Sequence, residues 1–150
     1  MSKKQQPPHA ARRRARKRAL QALYQWEMTE QSANEILGQF IQEQDMSKVD
    51  VDYLTFLVKT VIDQHQALDE QIAKFSDRAL DLLDPLEISV IRLAALELKQ
   101  CLEVPFKVVL DEAVGLARDF GSEQSPLFVN GVLDRCASHW REPEYKAVTG

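Results

Sequence analysis

An all-α bundle of six or seven helices is the fold class that the sequence predicts, and three observations predict it. Apolar residues recur at helical spacing along nearly the whole chain, and no stretch shows the apolar–polar alternation of a half-buried strand. Helix-start signals stand at regular places: Ser32 followed by Glu35, Asp84-Pro85, Pro105 and Pro126. With 45% hydrophobic and 28% charged residues, 150 residues are enough for one domain with its own core.

The first nine residues, MSKKQQPPH, hold no periodic apolar signal, so 1–9 reads as a flexible N-terminal tail and 10–150 as a single all-helical domain. From Ala10 to about Met28, Ala15, Ala19, Ala22, Leu23 and Trp26 form one stripe at 100° per residue, with Leu20 at its margin. Ser32-x-x-Glu35 is a capping box that opens a second helix with Ile36, Leu37, Phe40 and Ile41 inward. Asp50 or Asp52 caps a long third helix carrying Leu54, Leu57, Val58, Val61, Ile62, Leu68, Ile72 and Phe75. A short helical piece over 77–83 follows. Asp84 and Pro85, N-cap and first helical residue, start the most apolar segment, which runs to about Leu102 and reads as an interior helix. Pro105 begins the next helix, with Phe120 inward and Gly121 as its stop. Pro126 begins the last, in which Gly131 is expected to permit close helix contact.

Several kinds of chemistry are poorly supported. Cys101 and Cys136 lack metal-ligand spacing and read as two reduced thiols of a cytoplasmic protein. Five scattered glycines make no phosphate-cradling loop. His65 and Asp69 lie one turn apart, but no nucleophile joins them, so the chain is not expected to be an enzyme or to carry a cofactor or metal. No apolar run approaches the roughly 20 residues that span a bilayer, so no membrane is expected. Arg92 interrupts the apolar run from Ile88 to Leu98, and a guanidinium there must be paired, with Glu112 or Glu87 as candidates.

Charge carries the functional signal. Residues 1–18 hold eight basic side chains and no acidic one, while the other 132 residues hold 11 basic and 23 acidic. Such polarity suits a polyanion bound at one end. Arg12, Arg13, Arg14, Arg16, Lys17 and Arg18 crowd one helix start, where i,i+4 repulsion and the helix dipole both disfavour them. A phosphate strand would neutralise them, and the first two turns are expected to firm up on RNA. On a helical wheel Arg13, Lys17 and Tyr24 share one flank, so Tyr24 offers a base a stacking surface beside the cations. The same charge could instead meet an acidic protein, which leaves a non-enzymatic interaction bundle as the alternative.

ARRRARKRALQALYQWEM (11–28), LDPLEISVIRLAALEL (83–98) and VPFKVVLDEAVGLARDFGSEQSPLFVNGVLD (104–134) resemble the NusB family of bacterial transcription antitermination factors. That resemblance implies two helical subdomains and binding to single-stranded boxA-like RNA. It also implies pairing with NusE, a small-subunit ribosomal protein, within an RNA polymerase antitermination complex, notably on ribosomal RNA operons. Carried over by position, it makes Arg12, Arg13, Arg14 and Arg16 phosphate contacts, Tyr24 and Phe128 aromatic contacts, and Glu87 a residue of the NusE side. The chain departs from the family pattern at Lys17-Arg18, where charge is added, and at Pro126-Leu127, where a polar pair is common. The resemblance extends to the RNA-binding domain that precedes certain ribosomal RNA methyltransferases, but methyl transfer is not expected of these 150 residues.

Overall fold

In a computed structural model, residues 8–149 are described; most of the tail expected over 1–9 lies outside them. Among the described residues there are seven α-helices and one 3₁₀ turn, and no strand. They are α1 (Pro8–Met28), α2 (Ala33–Glu43), α3 (Val51–Ala73), the 3₁₀ turn Leu80–Leu82, α4 (Pro85–Gln100), α5 (Phe106–Phe120), α6 (Ser125–Trp140) and α7 (Glu142–Thr149). Pro8 and His9 already belong to α1, two residues before the expected start.

The predicted caps form. Ser32 Oγ accepts from Glu35 N–H at 3.1 Å while Glu35 Oε1 accepts from Ser32 N–H at 2.8 Å. Of the two candidates for α3, Asp50 is the cap, accepting from Tyr53 N–H at 3.0 Å. Asp84 accepts from Leu86 N–H at 2.8 Å, with Pro85 opening α4. The expected piece over 77–83 shrinks to the 3₁₀ turn, and α7, which the sequence left undrawn, is added.

Helices α1–α3 form one subdomain and α4–α7 the other. α4 packs on α1 and α3 of the first as well as on α5 and α6 of the second, so one core runs through both. Every residue from Glu87 to Leu98 is buried, which makes α4 the interior helix that its apolar sequence predicts. Ile41 and Phe120, expected inward, are 45% and 39% exposed. Both lie late in their helices, where the apolar stripe has drifted off the core.

Polar groups lock α4 at Arg92 and at its C-terminal carbonyls. Arg92 donates from Nε and Nη2 to the two oxygens of Asp69 at 2.9 and 2.8 Å and from Nη1 to Glu27 at 2.7 Å. The partners expected for it, Glu112 and Glu87, are engaged elsewhere. Asp69 therefore serves Arg92, while His65 Nδ1 lies 2.8 Å from the Ile62 carbonyl. At the other end Arg141, 5% exposed, donates to the carbonyls of Leu98, Glu97 and Cys101 at 2.7, 3.2 and 3.0 Å. A cation on the free carbonyls of a helix end satisfies acceptors that the helix cannot. Both cysteines are free and buried, and burial pushes the Cys136 thiol up to about 12.

Of two glycines singled out by the sequence, Gly121 stops α5 as expected and Gly131 differs from expectation. A Cβ at Gly131 would meet Arg135 Nη1 at 3.7 Å, an ordinary van der Waals distance, so no close helix contact demands glycine there. Gly121 has an ordinary φ of −97°, but a Cβ there would lie 2.7 Å from the Ala117 carbonyl oxygen and 2.8 Å from Ser125 Oγ. It is needed for close approach, not for a left-handed turn. We expect Gly121→Ala to cost about 1–3 kcal/mol in urea unfolding through this overlap. An unchanged midpoint would show that Ser125 can move aside freely.

Candidate nucleic-acid interface

Seven consecutive helical positions wrap almost two turns, so the cations of 12–18 cannot share one face. The structure sorts them. Arg16 is 4% exposed and forms a two-oxygen pair with Glu97, Nε and Nη2 each reaching carboxylate oxygens at 2.9 Å. Tyr53 also donates its hydroxyl to Glu97. Burial pulls the Arg16 pKa down, yet the bonds and charge of Glu97 outweigh it and hold the pKa above its ordinary value. Expected to meet RNA, Arg16 instead fastens α1 to α4 from inside the core. No face of it is left for a phosphate.

The other cations stay nearer the surface. Arg12 lies 4.2 Å from the Tyr53 ring centre, 3.5 Å from Glu103 and 3.9 Å from Asp50. Arg13, with a side chain 67% exposed, donates to Glu112 of α5 at 2.9–3.3 Å. That bond, then the Glu112 charge, raises the Arg13 pKa. Arg18 is partly buried with an Nε that lacks a hydrogen-bond partner, and its charge helps lower the pKa of Asp45, already held down mainly by Ser47. The crowding that the sequence implies is thus relieved largely by carboxylates of the protein's own body.

Arg13, Arg14 and Lys17 line one wall of a groove of about 360 Å³, with Asp111, Glu112, Gly115, Leu116 and Asp119 of α5 opposite. Lys17 Nζ lies 5.8 Å from the Phe120 ring. Phe120 in turn lines a second groove, of about 380 Å³, with Leu20, Gln21, Tyr24, Asp84 and Leu86. Tyr24 is 40% exposed there. The shared flank of Arg13, Lys17 and Tyr24 is therefore a continuous strip, joined by an aromatic ring that the sequence assigned to the core.

Beyond Leu86 the strip meets the start of α6. Glu87, 6% exposed, accepts from Ser125 Oγ at 2.8 Å, and Ser125 Oγ accepts from Ser122 N–H at 3.1 Å. Glu87, expected to face a partner protein, thus spends its carboxylate on the turn between α5 and α6. Phe128 is half-buried just past that turn, and the Arg78 guanidinium lies 3.7 Å from its ring centre. Leu127 is 79% exposed.

Among the described residues no helix is long and apolar enough to cross a membrane. The model of the NusB family matches residues 13–138. A transcription antitermination protein NusB of Idiomarina loihiensis is 48% identical over 132 residues, covering 88% of this chain and 95% of its own. Its counterpart from Acinetobacter baylyi is 44% identical over 144 residues, 96% of this chain and 97% of its own. Among solved structures, T. maritima NusB superposes with a TM-score of 0.79 at 26% identity, over 95% of this chain and 99% of that one. A crystal structure of the antitermination factors NusB and NusE in complex with dsRNA gives 0.71 at 26% identity, over 90% and 96% of the two chains. With a family match over 13–138 and relatives 44–48% identical along nearly their full length, the chain belongs to the NusB family.

Proposed function

We propose that this chain is a cytoplasmic transcription antitermination factor that binds boxA-like RNA on the flank of α1 and pairs with NusE. Its work, on this reading, is binding within an RNA polymerase complex, notably on ribosomal RNA operons. One observation carries the RNA-binding part: the open strip from Arg13, Arg14 and Lys17 through Phe120 to Tyr24 has a wall of three cations at one end, facing Asp111, Glu112 and Asp119 across the groove, and aromatic rings at the other. Phosphates fit the first end and a stacked base the second. The family's solved complex with NusE and dsRNA supports the choice of partners. Arg12 and Arg18 extend the cationic end, Phe128 the aromatic one, and Arg16 supports it from within. Glu87 serves the NusE side by fixing the α5–α6 turn. Residues 10–150 act as one RNA-binding domain, with 1–9 as a tail.

A second reading keeps one point in its favour. Arg12, Arg13 and Arg16 already pair with carboxylates, so an acidic protein could take the same helix. A salt titration with boxA-like and scrambled RNA, single- and double-stranded, each with and without NusE, separates the two. If about four phosphates are neutralised on a single strand, the log–log slope is about −3 and a fourfold rise in salt weakens binding about 60-fold. A flat profile, or equal affinity for every RNA of the same length, would favour the acidic protein.

A further inference from the structure

We infer that Arg78, stacked on the Phe128 ring, is a further RNA-binding residue that takes a phosphodiester of the bound strand. The inference rests on the reading of the chain as an RNA binder and adds to it a cation far from the basic helix in sequence.

Arg78 is held ready. Ser76 Oγ accepts from Arg78 N–H at 3.2 Å and donates to the Arg78 carbonyl at 2.7 Å, which clamps the backbone on both sides of the residue. Arg135 of α6 donates to the Phe75 carbonyl at 2.8 Å and ties the same loop to the helix that carries Phe128. The guanidinium then rests 3.7 Å from the centre of the Phe128 ring, a van der Waals stack that removes much of a long side chain's freedom.

Arg78 is also unspent. It is exposed, and its side-chain donors have no acceptor among the described residues. Asp77 and Asp81 flank it in sequence, yet no described carboxylate lies within ion-pair distance. Arg12, Arg13 and Arg16 differ on this point, because each of them has such a carboxylate. A phosphate arriving at Arg78 displaces nothing. Most of the body is acidic, so a preorganised free guanidinium beside a half-buried aromatic ring marks a place where an anion with stackable bases fits. A fork of N–H donors held over the ring suits a phosphate passing the ring edge while a base covers the exposed part.

The test is RNA binding by fluorescence anisotropy with the full chain and a boxA-like oligonucleotide. Arg78→Ala is expected to weaken binding about tenfold and to flatten the salt slope by about 0.7, the share of one phosphate. Arg78→Lys should restore the slope but only part of the affinity, because charge returns without the stack. If Arg78→Ala binds RNA like the parent while Arg13→Ala with Arg14→Ala weakens it, the role given to Arg78 is wrong and the RNA reading stands. If neither variant changes RNA binding, the reading itself fails. Loss of NusE capture without RNA, at unchanged RNA affinity, would make Arg78 a protein contact and overturn the inference. Thermal melts of the variants serve as the folding control.

Discussion

Glu97→Ala is expected to destabilise the protein by about 3–5 kcal/mol, because it leaves the Arg16 guanidinium charged and unpartnered in a closed core. The geometry leaves little room for relief: Arg16 is 4% and Glu97 2% exposed, and α1 and α4 are both held on several sides. Arg16→Ala should fall in the same range, since it strands the carboxylate. The paired replacement Arg16→Met with Glu97→Leu should recover most of the loss, falling short by about 1 kcal/mol for the orphaned Tyr53 hydroxyl. Urea unfolding monitored by circular dichroism reads all three, and an unchanged midpoint for Glu97→Ala would show the pair to be dispensable. The parent carries a pH signature of the same cluster. Burial first, then Glu97, pushes the Tyr53 phenol above its usual 10. A raised folded pKa means stability is complete below pH 10 and declines as the pH climbs above it. Tyr53→Phe should remove that alkaline decline.

The second large effect lies at the surface. Arg13→Ala, Arg14→Ala and Lys17→Ala combined should lower affinity for boxA-like RNA by at least about 100-fold, as charge-assisted contacts contribute about 1.5–3 kcal/mol each. The salt slope should fall from about −3 towards about −0.7, and the fold should survive because these side chains are exposed. Arg16 has no place in this set. A variant that includes it would lose RNA by unfolding and would teach nothing about contact. Glu112→Gln offers the opposite sign: with its competitor neutralised, Arg13 should bind RNA more tightly and with less regard for sequence. If the triple variant retains parental affinity, the α1 flank is not the RNA surface.

How far the sequence could be read follows from the range of the interactions. Caps are local, so Ser32 with Glu35, Asp50, and Asp84 with Pro85 were visible in a few residues. The interior character of α4 was visible for the same reason. Ion pairs are not local. Arg16 and Glu97 stand 81 residues apart, and Arg13 and Glu112 stand 99 apart. A run of like charges conceals which of its members faces inward. A signal for Arg16 existed all the same: it precedes buried Leu20 and Leu23 by four and seven positions, so it stands in the apolar stripe. Glu97, lodged among Ala94, Ala95, Leu96 and Leu98, was its matching charge. Phe120 and Arg78 were missed for another reason. Their role depends on two grooves and a loop meeting at one surface, which periodicity along one helix does not encode.

The contacts of Arg141 bear on how the molecule is made. Its guanidinium satisfies the carbonyls of Glu97, Leu98 and Cys101, so the last turn of the central helix is finished by a residue synthesised some 40 positions later. A nascent chain can assemble α1–α3 early, but the helix on which both halves rest stays open at one end until Arg141 has been made. Ribosome-bound intermediates ending before Arg141 should therefore show a frayed α4 terminus that closes once the C-terminal segment emerges.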